Sequence, residues 1–177
     1  MKISVFIATS LDGFIAKPDG DVDWLMDKRY VLEGEGFGYQ ELYDACDVLV
    51  MGRHSFEKVS SFDTWPYPDK RVVVLSGSLK KLPIHLNDVE LFSGPIEEMM
   101  TMFKREGVKH IYIDGGKVIQ SFLKKSLVSE MTLTSIPILL GEGIKLFGTL
   151  ERPLHLSLKS AKGYPNGFVQ SIYTPSM

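Results

Sequence analysis

The chain has 177 residues, 44% of them hydrophobic, which is enough to bury the core of one globular domain spanning residues 1–177. Its 20 Lys and Arg are scattered among 22 Asp and Glu, for a formal net charge of −2, so the basic footprint of a nucleic-acid binder is absent. Cys46 is the only cysteine, which excludes an intrachain disulfide and a cysteine metal cage.

The opening run MKISVFIATS carries one lysine and meets the acidic turn LDG too soon for a signal peptide. No apolar run approaches the roughly 18–20 residues of a membrane span, so a cytoplasmic protein with no membrane partner is expected. Residues 2–8 form the first predicted strand, and Asp12 in LDG is expected to shape a turn. The following DVDWLMDKRYVLE supplies Asp21, Asp23 and Asp27, which suit solvated turns and helix starts, with Asp27 also a candidate for substrate contact. The glycine cluster GEGFGYQ, residues 34–40, does not have GxGxxG spacing. No strand precedes it and Glu33 and Glu35 would repel phosphate, so it reads as a solvated loop before a helix.

A buried strand is predicted over 47–51, with Gly52 and Arg53 opening a helix in DVLVMGRHSFEKV. Arginine at a helix start can grip phosphate oxygens in a fork. The strand over 71–75 ends in Ser76, Gly77 and Ser78, whose hydroxyls and backbone donors also suit an anion. In SGPIEEMMTMFKREG, Pro95 suits the first helical position, and Ile96, Met99, Met100 and Phe103 make a core-facing stripe before Gly107 stops the helix. The strand over 110–114 runs into IDGGKVIQSFL. Gly115 and Gly116 there allow either close approach of another backbone or a pyrophosphate at the helix start, or a tight turn with positive φ. A strand over 131–138 follows, and the alternation of Leu154, Leu156 and Leu158, then GYPNG and a second alternating run to Tyr173, predicts an antiparallel hairpin. The whole reads as an α/β fold with a mostly parallel sheet and an antiparallel edge. Three phosphate-suited strand ends point to a dinucleotide. The histidines His54, His85, His110 and His155 are too dispersed to propose a metal site.

These segments carry a resemblance over most of the chain. MGRHSFEKV, VVVLSGS and IDGGKVIQSFL resemble, in the same order, the cofactor-binding segments of dihydrofolate reductases. ATSLDGFIA and SEMTLTSIPILLGEGIKLF are similar to the reductase domain of the bifunctional riboflavin-biosynthesis deaminase-reductase, without the H-x-E and P-C-x-x-C zinc signature of its deaminase. The resemblance implies a dihydrofolate-reductase-like three-layer fold and an NADPH-dependent reductase acting on a small planar heterocycle of pterin or aminopyrimidine type, or else a non-catalytic NADP(H)-binding protein with a diverged substrate side. It implies that Met51, Gly52, Arg53, His54 and Ser55 hold the adenosine phosphates and that Arg53 and Ser76 favour the 2′-phosphate. By the same resemblance, Gly115, Gly116, Lys117 and Val118 take the pyrophosphate, Ala8 and Thr9 meet the nicotinamide carboxamide, and Trp24 lies on the cofactor side. Asp114, Thr134 and Asp27 are then the catalytic candidates, with the general acid either Asp114 or a water near Thr134. A homodimer through the terminal hairpin is expected.

Overall fold

The computed structural model describes residues 1–83, 86 and 88–176; His85 lies outside them. The central sheet has eight strands. In chain order they are β1 (Lys2–Ser10), β3 (Val48–Gly52), β4 (Arg71–Leu75), β5 (Val89–Phe92), β6 (His110–Asp114), β7 (Glu130–Ile136), β9 (Leu156–Gly163) and β10 (Val169–Pro175). Two short strands, β2 (Phe14–Ala16) and β8 (Ile144–Lys145), pair apart from it. The sheet order is β5-β4-β3-β6-β1-β7-β10-β9, parallel through β7 and antiparallel for the last two pairings. Among the described residues, four α-helices complete it: α1 (Tyr39–Ala45), α2 (Arg53–Ser60), α3 (Ile96–Glu106) and α4 (Gly116–Lys124). None among the described residues is long and apolar enough to cross a membrane.

Alternation along the strands divides the core into two layers. Ile3, Val5, Val50, Ile111, Ile113 and Met131 face α3 and α4, meeting Met99, Phe103, Ile119 and Phe122. Leu49, Met51, Val72, Val74 and Tyr112 point the other way, toward Phe56 of α2 and toward Tyr39, Leu42 and Tyr43 of α1. Each such side chain withdrawn from water contributes about 1.5–3 kcal/mol, which is why the central strands read as unbroken apolar runs. A third cluster, Trp24, Ile136, Tyr164 and Phe168, lies beside Ala8 and Phe37.

Several boundaries differ from expectation for local reasons. Pro95 is the extended N-cap of α3 (φ −61°, ψ 150°) rather than its first helical residue, while Gly107 ends that helix at φ 79° as the sequence implies. β7 stops at Ile136 because Pro137 has no N–H for the ladder. β5 was not predicted: it is an edge strand whose Glu90 accepts two hydrogen bonds from Arg71 on β4, so its polarity hides it. The GEGFGYQ loop does precede a helix, but it is not simply solvated. Phe37 adopts φ 53° and turns inward onto Tyr164 and Phe168, with ring centroids 4.8 and 5.4 Å away.

Candidate functional site

The register of β1 opens the site. β1 pairs with β6 only from Lys2 to Val5, whereas its pairing with β7 runs from Ser4 to Ser10. From Phe6 onward the strand is therefore laddered on one side only, and the β6 side splits open at the carboxyl ends of the strands. This is where open α/β sheets place ligands. Ala8 and Thr9 lie on the open stretch, paired to Thr134 and Ser135. Tyr112 anchors its base, donating from its hydroxyl to the Phe6 carbonyl at 3.1 Å.

Two helix starts meet beside the split. α2 begins at Arg53 after Gly52, and α4 begins at Gly116 after Gly115. Neither has a side-chain cap, so their first N–H groups are left for another acceptor. Gly115 has φ 90°, and a Cβ there would lie 2.5 Å from Ser55 Oγ, so only glycine lets the two junctions close up. A Cβ on Gly52 would meet Val118 Cγ2 at 3.3 Å. Gly116 is crowded by the chain itself: its Cβ would lie 2.8 Å from Ile15 Cδ1 and 3.4 Å from the Lys145 carbonyl. Of the close approaches left open by the sequence, the one at Gly116 is made by β2 and β8. Gln120 fastens β8 there, donating to the Lys145 and Leu146 carbonyls.

The remaining cofactor-side candidates divide by exposure. Met51 and Val118 are buried core side chains, so only their backbone can serve a ligand. His54 and Lys117 are exposed at the two helix starts. The Arg53 guanidinium donates to Glu57 at 2.6 Å and to Ser78 Oγ at 3.2 Å. Ser76 is buried, and its hydroxyl accepts from the Leu79 N–H at 3.0 Å and the Ser78 N–H at 3.3 Å, closing the turn after β4. Ser78, named in the sequence only as part of the SGS turn, is thus the hydroxyl that meets Arg53.

On the α1 side of the split stands Asp114. Burial pushes its carboxyl pKa up, against opposing hydrogen bonds from the Gly115 N–H and the Ser55 hydroxyl. Tyr39 lies nearby, its ring 5.6 Å from Phe6 and 6.2 Å from Tyr112, and burial with the Asp114 and Tyr43 charges pushes its phenol up to about 12. Thr134 is buried one register step along, and it accepts from Gln170 Nε2 at 3.1 Å. Trp24 is buried over Ala8 and Ile136, and its indole N–H has no partner among the described residues.

Asp27 takes the helix-start role that its sequence context suits. Its carboxylate accepts from the Arg29 N–H and from both Nε and NH2 of Arg29, capping the short helical turn Lys28–Tyr30. That pairing lowers its pKa to about 2. Asp12 shapes a turn as expected, accepting from Ser10 Oγ and from the Leu140 and Gly141 N–H groups. Sequence reasoning missed Gln170. Its signal was an amide at an inward position of β10, in the alternation Phe168, Gln170, Ile172.

The RibD C-terminal domain family model matches residues 1–170. The chain belongs to that family. An uncharacterised Bacillus subtilis (strain 168) protein, YwjB, is 36% identical over 168 residues, covering 92% of each chain. A riboflavin-biosynthesis candidate from Shewanella sp. PV-4, solved by crystallography, is 39% identical with a TM-score of 0.94 over the full length of both chains. The dihydrofolate reductase of Enterococcus faecalis, solved in complex with NADP(H), shares the fold at 14% identity, with a TM-score of 0.69 over 99% of this chain and 97% of its own. The RibD C-terminal fold is thus the dihydrofolate-reductase-like α/β architecture expected from the sequence.

Proposed function

We propose that this protein is an NADPH-dependent reductase that passes a hydride to a small planar heterocycle of pterin or aminopyrimidine type. The observation that carries this reading is the meeting of two uncapped helix starts, α2 and α4, beside the open half of β1. Together they offer converging N–H donors to a diphosphate, with the macrodipoles aligned to favour negative charge. The likeness to a reductase solved with NADP(H) supports the same choice of cofactor.

When bound, NADPH supplies the hydride. The backbone of Ala8 and Thr9 would hold the carboxamide, and Arg53 with Ser76 and Ser78 would receive the 2′-phosphate. Tyr39, Phe6 and Trp24 wall the cleft and exclude water. Asp114, whose carboxyl pKa is raised by burial, would donate the proton that neutralises the heteroatom when hydride reaches the adjacent carbon. Asp27's engagement with Arg29 favours a second reading, a non-catalytic NADP(H) binder with a diverged substrate side. Nicotinamide absorbance followed across a panel of pterins, pyrimidinones and quinones decides between them. A saturable rate with one member is expected, and NADPH binding without oxidation by any of them selects the second reading.

The active unit is proposed to be a homodimer. β9 is the outer edge of the sheet and every residue of it is exposed, with Leu158 56% accessible. Beside it an apolar groove of about 190 Å³ runs between Phe147, Leu150, Leu154 and Leu156. A second copy covers both at once, because an open edge is self-complementary about a two-fold axis.

A further inference from the structure

We propose that Gln170 aims the Thr134 hydroxyl, so that the substrate cleft selects a heterocycle presenting a hydrogen-bond acceptor, a carbonyl oxygen or an unprotonated ring nitrogen, at that point. The inference rests on the reductase reading for which face of the sheet is the cleft. The aiming itself follows from donor and acceptor accounting.

Gln170 is 9% exposed and makes three hydrogen bonds. Its Nε2 donates to the Phe37 carbonyl at 2.9 Å and to Thr134 Oγ1 at 3.1 Å, and its Oε1 accepts from the Tyr164 hydroxyl at 3.3 Å. A carbonyl can only accept, so the Phe37 oxygen admits the NH2 end of the amide and not the oxygen end. That single contact removes the usual ambiguity of an amide's orientation. Thr134 Oγ1 stands on the same NH2 group and must therefore accept from it. Its own proton is turned away from Gln170, and no acceptor for it is present among the described residues. Thr134 shares a register position with Ala8 and lies on the face that carries Phe6, Asp114 and Trp24, so the proton is left for a ligand on that face. The same amide holds the 34–38 loop shut through the Phe37 carbonyl, where Phe37 sits at φ 53°.

Gln170 is thus a positioning residue acting through Thr134. A ligand with an amino group at this point would set donor against donor, whereas one with a carbonyl completes the chain from Tyr164 to substrate. Leaving such a polar group unpaired weakens binding by about tenfold or more.

The test is calorimetric titration of the NADPH-loaded protein with two probes that differ at this point, a diaminopyrimidinone and triaminopyrimidine. The wild type and Thr134→Ser are expected to prefer the pyrimidinone by about tenfold. Gln170→Met, which keeps the volume and frees the hydroxyl to rotate, and Thr134→Val should both reduce the preference to within about threefold. A readout that leaves Gln170 in place is its side-chain amide pair in the NMR spectrum: Thr134→Val should shift one proton and spare the one held by Phe37. An unchanged preference in Gln170→Met, failure of both probes to bind, or amide signals indifferent to Thr134→Val overturns the proposal. Loss of NADPH binding with the amide signals behaving as stated overturns the reductase reading instead.

Discussion

Gly115 at the end of β6 and Ser55 in the first turn of α2 are so close that a methyl group on Gly115 would lie 2.5 Å from the Ser55 Oγ. They belong to different strand-to-helix junctions, and their contact holds the two helix starts side by side. Gly115→Ala must both separate them and place alanine at φ 90°, so it should cost about 1–3 kcal/mol of stability and weaken NADPH binding. Ser55→Gly added to Gly115→Ala removes the collision but not the backbone strain. Part of the melting temperature should return, and full recovery in the double variant would show that φ carries no cost.

Asp114 makes the site sensitive to pH. Its folded pKa is raised above the ordinary 3.8, chiefly by burial, so the folded protein holds this proton more tightly than the unfolded chain does. The associated stability is fully present below the ordinary value and is lost as pH rises through the raised one. Asp114→Asn should therefore raise the melting temperature at neutral pH and leave it nearly unchanged near pH 3. The turnover of an NADPH reductase using this proton should fall as pH rises through the same window and be lost in the variant. A pH profile of kcat/KM that is flat across the window removes Asp114 as the proton donor.

How legible the molecule was depends on where its constraints lie. β3, β4 and β6 match their predicted spans within a residue because burial on both faces leaves no polar position to confuse the reading. The edge strand β5 has no such requirement, and Glu90 paired with Arg71 looks like a loop. At the site, the glycine pair was visible as a backbone requirement, yet nothing local to residue 116 announces that Ile15 and Lys145 press on it. Asp27 is one of three carboxylates in the run DVDWLMD, and nothing in that spacing announces that Arg29, two residues on, pairs with it. Gln170 was hidden for the opposite reason: its partners Phe37, Thr134 and Tyr164 come from three separate segments.

Arg53 should discriminate between cofactors. It already reaches Ser78, which places the guanidinium over the turn after β4, and its other partner is Glu57. A 2′-phosphate would displace the carboxylate and form the stronger fork. Fluorescence titration should find NADPH bound about tenfold or more tightly than NADH, with Arg53→Ala erasing most of that difference. Equal affinities in the wild type would remove the phosphate role from this residue.

The proposed homodimer places its interface at the edge of β9. A dimer should scatter light at about twice the 19.9 kDa chain mass. Leu158→Asp, at an exposed position of the edge strand, places like charges across the two-fold axis and should shift the population to monomer without lowering the melting temperature of the monomer itself. A wild type that stays at the chain mass across the accessible concentration range sinks the dimer.

Gly116 separates a ligand cradle from an internal contact. A methyl group there would meet Ile15 Cδ1 at 2.8 Å and the Lys145 carbonyl at 3.4 Å, so β2 and β8 must move outward to admit it. Because the backbone of Gly116 does not adopt a positive φ, the penalty is steric rather than conformational. Gly116→Ala should lower stability by about 1–3 kcal/mol, or some 2–4 °C in melting temperature per kcal/mol for a chain of this size. Ile15→Val removes the offending methyl from the other side. The double variant should therefore be more stable than the sum of the single changes predicts, a coupling that a double-mutant cycle reads directly. If instead the two changes add, while Gly116→Ala melts like the wild type and loses NADPH affinity, the glycine serves the diphosphate and not the packing of β2 against α4.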